Sequence, residues 1–263
     1  MLHLDHVSKT FFPGTVNERR ALVDIDLTLD EGDFVTVIGS NGAGKSTVLN
    51  IIAGKLGPDS GSVHLAGRDV TKQGDHVRAK TVGRVFQDPM AGTCPGLTIE
   101  QNMALAQRRG KRRGLSLAVT RAKRDYFASE LEVLELGLEN RLKTKVGLLS
   151  GGQRQALSLL MATFSDPKIL LLDEHTAALD PQRADLVTQL TQKIVAEQAL
   201  TTLMVTHNMD QALRVGNRLI MMHEGEIILD LDHDQKKSMT VDGLLAEFQK
   251  IKGATLDDKT LLD

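Results

Sequence analysis

Gly39-Ser40-Asn41-Gly42-Ala43-Gly44-Lys45-Ser46 places three glycines, a lysine and a hydroxyl in one tight run, with Thr47 next. The spacing is G-x-x-x-x-G-K-[ST], and each residue type has a use in it. Glycines let the backbone wrap closely, so that successive N–H groups and the start of a following helix point at negative charge. A lysine at the end of the run neutralises the outer phosphates of a nucleotide, and the serine hydroxyl reaches a magnesium ion. At average glycine usage the pattern arises by chance on the order of once in a hundred chains of this length. A glycine-rich turn that binds nothing is therefore the poorer account.

Further chemistry-bearing segments follow. Leu149-Ser150-Gly151-Gly152-Gln153-Arg154-Gln155 is a second glycine-rich helix start. Ser150 suits the N-cap and Gln153 the return position of a capping box. On its own that is no more than a well-capped helix. Downstream, Ile169-Leu170-Leu171-Leu172 leads into the two carboxylates of Asp173 and Glu174, and Thr206-His207 follows another apolar run. A lone histidine after a strand is more often structural than catalytic, so the set matters more than any member.

The elements that must position these groups are legible from periodicity. Weak alternation over Leu2–Val7 and clearer alternation over Ala21–Leu29 predict strands, as do Phe34–Ile38 and the glycine-bounded Gly61–Gly67. Helical character over Lys45–Ala53 directly follows the Phe34–Ile38 strand. Thr98-Ile99-Glu100-Gln101 predicts a capping box before a helix through Met103–Gln107. Apolar spacing of three and four runs from Ala122 to Leu136, and Ser150 opens a helix through Phe164. Ile169–Leu172 and Thr202–Val205 are short apolar runs of the kind that parallel strands covered on both faces require. Between them Leu186, Leu190 and Ile194 predict one helical face. Arg218–His223 and Glu226–Asp230, joined at Glu224-Gly225, read as a hairpin. The tail after about Thr255 is polar and is expected to be loose.

Composition narrows the classes. The chain has 263 residues, 41% hydrophobic and 25% charged, with a formal net charge of -2. From that balance no global polyanion-binding character can be read. The one cysteine, Cys94, allows no internal disulfide and fits a reducing compartment. No apolar run approaches the ~20 residues of a membrane span. The opening segment carries Asp5 and lacks the apolar block of a signal peptide. A soluble, cytoplasmic chain is expected, reaching a membrane only through a partner. No internal repeat is present, so one nucleotide-binding unit is expected.

Taken in this order, the motifs resemble those of the ATP-binding cassette (ABC) ATPases over nearly the whole chain. The resemblance implies an α/β fold: a P-loop NTPase core with an antiparallel β subdomain and an inserted α-helical subdomain. The core would take about 1–97 and 165–255 and the helical lobe about 98–164, leaving 256–263 as a tail. It implies a head-to-tail homodimer with each ATP sandwiched between one subunit's phosphate loop and the other's LSGGQ signature. Ser150, Gly151 and Gly152, with Gln153 in the same signature, would meet the γ-phosphate bound to the partner. Carried over position by position, Gly39 to Thr47 would bind ATP, while Ser46, Asp173 and Gln87 would hold Mg²⁺. Glu174 would be the general base, with Gln87 and His207 completing the catalytic set. Asp180, in Ala178-Leu179-Asp180, matches the D-loop, which contacts the other subunit. Phe11 sits where the family places an aromatic on adenine, and Phe12 is its close rival. The family often has proline after the glutamate; this chain has His175, which reads as a subfamily trait.

Members without membrane spans usually power separate permease subunits from the cytoplasmic face of the membrane. Their docking groove would here involve Gln87 to Met103, including Pro89, Met90, Pro95 and Leu97. VNERRAL, GRVFQDPMAGT, RRGKRRG and DEHTAALD are most similar to bacterial importers of solutes such as amino acids, which also use a binding protein. An exporter of lipid or lipoprotein and an iron–sulfur assembly ATPase are the alternatives. The segment between Gln87 and Ser150 is too short for the coiled coils of chromosome-maintenance members. The basic run Arg108-Arg109-Gly110-Lys111-Arg112-Arg113 reads as a solvated loop, or as a contact for anionic lipid headgroups or an acidic partner loop beneath the membrane. Without interleaved aromatics it predicts no nucleic-acid binding.

Overall fold

The computed structural model of the chain describes residues 1–110 and 118–252. Its strands are β1 (Leu2–Phe11), β2 (Arg19–Leu29), β3 (Phe34–Gly39), β4 (Ser60–Leu65), β5 (Arg68–Asp69), β6 (Val82–Val85), β7 (Ile169–Asp173), β8 (Thr201–Val205), β9 (Arg218–His223) and β10 (Glu226–Leu231). The helices are α1 (Lys45–Ile52), α2 (Asp75–Arg78), α3 (Ile99–Gln107), α4 (Arg121–Glu132), α5 (Gly151–Thr163), α6 (Pro181–Glu197), α7 (Met209–Arg214), α8 (His233–Ser238) and α9 (Val241–Lys252). They fall into two compact units, one of Met1–Arg78 with the chain from Ala199 onward, the other of Ala79–Gln198.

In the first unit every residue of β3 is buried, as a strand covered on both faces requires. It runs parallel to β8, with Phe34 opposite Thr202, and to β9, with Val35 opposite Arg218. β10 returns antiparallel on β9 through Glu224-Gly225, both at positive φ (47° and 88°). Two left-handed residues make the turn whose twist matches a hairpin. A separate antiparallel sheet has the order β2-β1-β4-β5. One face of β3 and β9 packs Ile38, Leu219 and Met221 against Ala212 of α7 and Leu244 and Phe248 of α9.

Helices α8 and α9 lie beyond the sequence expectations, although Asp232 and Gln235 form a closed capping box that opens α8. From α8, the buried Lys236 aims Nζ at Thr36 Oγ1 (3.3 Å) and at the carbonyls of Val215, Gly216 and Arg218. Burial pushes its ammonium down to about 8. Among the described residues only a hydroxyl and carbonyl dipoles take up that charge, and they tie α8 to the sheet.

In the second unit β6 runs parallel to β7, with Val82 opposite Ile169. Helices α3, α4 and α5 share a core in which Phe127 and Leu131 are fully buried and Phe127 stacks on Phe164 at 6.2 Å. The predicted face of α6 needs correction. Val187, Leu190, Thr191 and Ile194 point inward, whereas Leu186 is 37% exposed. The 3.6-residue turn carries position 186 off a stripe that Val187 occupies instead. No helix among the described residues is long and apolar enough to cross a membrane. Of the basic run, Lys111, Arg112 and Arg113 lie outside the described residues, as does the polar tail.

Candidate functional site

The phosphate loop belongs to the first unit and is shaped by close approach. Gly39 has φ 147°, and a Cβ there would lie 2.1 Å from the Met222 carbonyl oxygen on β9. Gly44 has φ 101°, and its Cβ would lie 2.4 Å from the Ala21 carbonyl oxygen. Only glycine fits either position. The loop's carbonyls are engaged by the protein itself. Lys45 Nζ donates to Gly39 O (2.6 Å) and Ser40 O (3.0 Å), and Arg19 Nη2 to Gly42 O (2.7 Å). The Gly225 N–H at the hairpin tip donates to Ala43 O (3.1 Å). With its oxygens held by these donors, the loop can present N–H groups to an anion.

Helix α1 begins at Gly44 with no side-chain cap. That is the end at which the helix dipole favours negative charge. Its far end is fixed by Arg78, buried within the same unit. Nη1 of Arg78 donates to Ile51 O and Ile52 O at 2.6 and 2.9 Å, and Nη2 to Val70 O and Thr71 O at 2.5 and 3.1 Å. A cation on the last carbonyls suits the negative end of α1, and burial holds the guanidinium below its usual value.

Also on this unit, His207 is half-buried between β8 and α7. Both flanks are pinned. Thr206 Oγ1 donates to Gln211 Oε1 (2.7 Å), and Asn208 caps α7 by accepting from the Gln211 N–H (2.8 Å). Phe11 ends β1 half-buried, while Phe12, at φ 51°, is 66% exposed. Their ring centroids are 6.5 Å apart.

The second unit carries the other groups. Asp173 ends β7, and Arg84 Nη2 on β6 holds its Oδ2 at 2.8 Å. The same guanidinium lies over the Phe86 ring, 4.8 Å from its centroid. Glu174 follows with φ 45°, left-handed backbone in a non-glycine residue. His175 is buried beside it, and burial pushes its imidazole down to about 4. Gln87 is exposed just past β6.

The expected capping box at Ser150 is closed in both directions. Ser150 Oγ accepts from the Gln153 N–H (3.3 Å), and Gln153 Oε1 accepts from the Ser150 N–H (3.2 Å). Gly151 and Gly152 sit against Leu179 and Arg183, so side chains there would crowd the segment around Asp180, the cap of α6. The next two residues, given no separate role from sequence, bind the segment around Gln87. Buried Gln155 donates to Phe86 O (3.1 Å), and Arg154 Nη1 approaches Met90 Sδ (2.9 Å). Arg154 also donates to the carbonyls of Val146, Gly147 and Leu149.

Arg19, Arg78, Arg84, Arg154 and Gln155 are the supporting residues that sequence alone did not single out. Each acts on a partner remote in the chain or on a backbone carbonyl, and neither leaves a spacing signal.

The family model described as ABC transporter matches residues 22–177. The chain is 45% identical over 250 residues to a tyrosine transport ATP-binding protein of Clostridioides difficile (strain R20291), a match covering 95% of this chain and 99% of that protein. It is 37% identical over 233 residues to the methionine import ATP-binding protein MetN 2 of Enterococcus faecalis (strain ATCC 700802 / V583), covering 87% of this chain and 64% of that one. A solved dimeric ATP-binding cassette, MJ0796 bound to ADP and Pi, superposes with a TM-score of 0.76 at 31% identity, over 89% of this chain and 99% of that one. The chain belongs to the ABC transporter family, as one of its ATP-binding, ATP-hydrolysing subunits.

Proposed function

We propose that two copies of this chain close head-to-tail around two ATP molecules, and that closure drives import of a small solute, such as an amino acid, through separate permease subunits. One observation carries the reading: a single chain holds an uncapped phosphate-loop helix and a second glycine-bearing helix start at Ser150 that caps itself. The second start has a use if it meets the nucleotide of another copy. The dimeric state of the similar cassette supports this. The 45% identity to a tyrosine transport ATP-binding protein supports import and an amino-acid cargo. In this reading the subunit works at the cytoplasmic face of the membrane with permease subunits and a binding protein, and its similarity to ATP-binding proteins of transport systems supports the permease partners.

In the proposed mechanism Gly39 to Thr47 wrap the phosphates and Lys45 neutralises the β- and γ-phosphates. Phe11, beside Phe12, stacks on adenine. Ser46, Asp173 and Gln87 offer a hydroxyl, a carboxylate and an amide oxygen, the hard donors that Mg²⁺ takes. Mg²⁺ held there would offset charge building on the transferring phosphoryl group. Glu174 orients the attacking water and takes its proton, with Gln87 and His207 holding that geometry. Ser150, Gly151 and Gly152 of the partner copy complete the charge stabilisation, and the Asp180 segment lies at the contact. Phosphoryl transfer asks for positioning and charge neutralisation above covalent chemistry.

Glu174→Gln tests the reading. The variant is expected to bind ATP, to lose turnover by roughly a thousandfold, and to accumulate as a dimer in light scattering under saturating ATP. A monomer under those conditions would remove the sandwich. Co-purification of the wild-type chain with a multispanning permease tests the transport assignment.

A further inference from the structure

His175 occupies the position directly after Glu174 and makes a bond that fixes its own proton. Its Nε2 lies 3.0 Å from Thr191 Oγ1 on α6. Thr191 is completely buried, and its hydroxyl donates to the Val187 carbonyl at 2.8 Å. A hydroxyl has one proton. Since that proton is committed to Val187, the oxygen accepts from the imidazole, and Nε2 carries the hydrogen. Nδ1 is then a bare acceptor, buried and without a hydrogen-bond partner among the described residues. Among the described residues the ring is hydrogen-bonded from one side only, by a relay that ends on the backbone of α6.

Glu174 needs an anchor of this kind. Its φ of 45° is a conformation that a side-chain-bearing residue keeps only where its surroundings over-determine it. One local restraint is the turn in which the Ala177 N–H donates to Glu174 O (3.0 Å). A second is the neighbouring imidazole, hydrogen-bonded to α6. We propose that His175 and Thr191 form a positioning pair that holds Glu174 in its left-handed backbone, so that its carboxylate is aimed at the attacking water. Neither residue touches nucleotide; both act through the residue between β7 and the imidazole. The proposal rests on Glu174 being the base.

Steady-state ATP hydrolysis by the purified full chain separates the two ideas. Thr191→Val removes the acceptor at nearly constant volume. It is expected to lower kcat roughly tenfold, within the cost of a small misplacement of a catalytic group, while KM for ATP stays within about twofold. Thr191→Ser, which keeps the hydroxyl, restores kcat. The double variant His175→Leu/Thr191→Val loses no more than the worse single one, because both break one relay. Wild-type kcat in Thr191→Val, or a loss that Thr191→Ser fails to restore, overturns the pair. A purely structural role would lower the melting temperature and leave kcat unchanged well below it. Should Thr191→Val not fold, His175→Leu, which removes donor and bare acceptor together, carries the same expectation and the same refutation. Glu174→Gln runs alongside. If it keeps turnover, the assignment of the base has failed; if it is inactive while Thr191→Val is normal, only the positioning pair has.

Discussion

Helix α1 begins at a left-handed Gly44 with no side-chain cap, whereas α5 begins at Ser150 with both arms of a capping box closed. Both starts carry glycines, but for different reasons. At Gly39 and Gly44 a Cβ would strike backbone carbonyls of β9 and β2, so the loop is shaped by the sheets beneath it. At Gly151 and Gly152 the near neighbours are side-chain atoms, Leu179 Cδ2 and the Cβ, Cγ and Cδ of Arg183, at 3.2 Å or more. The phosphate loop is fixed by close backbone approach, and in the proposed function its uncapped helix start would meet the anion directly. The signature start has its cap supplied from within, by Ser150 and Gln153. A helix end that must exist before its ligand arrives has use for a cap; one that encloses the ligand does not.

The contrast can be broken at its strongest point by Gly39→Ala. With φ 147° and a carbonyl at 2.1 Å, the variant is expected to lose roughly 3–5 kcal/mol of stability, seen as a collapse of the thermal melt without nucleotide. A wild-type melt would show that the glycine serves phosphate alone. Next in size is Lys45→Ala. Losing a charged partner to the phosphates costs about 1.5–3 kcal/mol, and titration with a fluorescent ATP analogue should read roughly a 10- to 100-fold weaker Kd. Undiminished affinity would remove the phosphate-loop assignment. The smallest effect is expected at Ser150→Ala. Loss of the cap costs about 1 kcal/mol, while ATP binding by a single copy stays at the wild-type Kd and hydrolysis falls. Weaker binding by the isolated monomer would place Ser150 in its own chain's site and erase the distinction.

Much of this was legible in sequence, and for local reasons. A strand, a glycine loop and a helix follow one another from Phe34 to Ile52, and capping boxes at Thr98/Gln101 and Ser150/Gln153 span three residues each. The Glu224-Gly225 hairpin likewise needs only its two turn residues. What escaped depends on distance along the chain. β6 is four residues long, too short for alternation to speak, and its worth lies in Arg84 meeting Asp173. The ring of carbonyls around Lys236 is assembled from residues 215–218, and the bond from His175 crosses to Thr191 on another element. Leu186 misled because the predicted stripe was right at Leu190 and Ile194 but left the buried face at its first position, where Val187 points inward instead. The spacing marks which groups are present; only the fold says what holds them still.

Arg154 and Gln155 have a mechanical consequence. They leave the first turn of α5 in two directions, to Met90 Sδ and Phe86 O, on either side of Gln87. The Arg154–Met90 contact is exposed and the Gln155–Phe86 bond part-buried, and both tie the segment around Gln87 to the helix that Ser150 opens. If two copies close on nucleotide as proposed, work done on that segment would pass to the sandwich along these same two bonds.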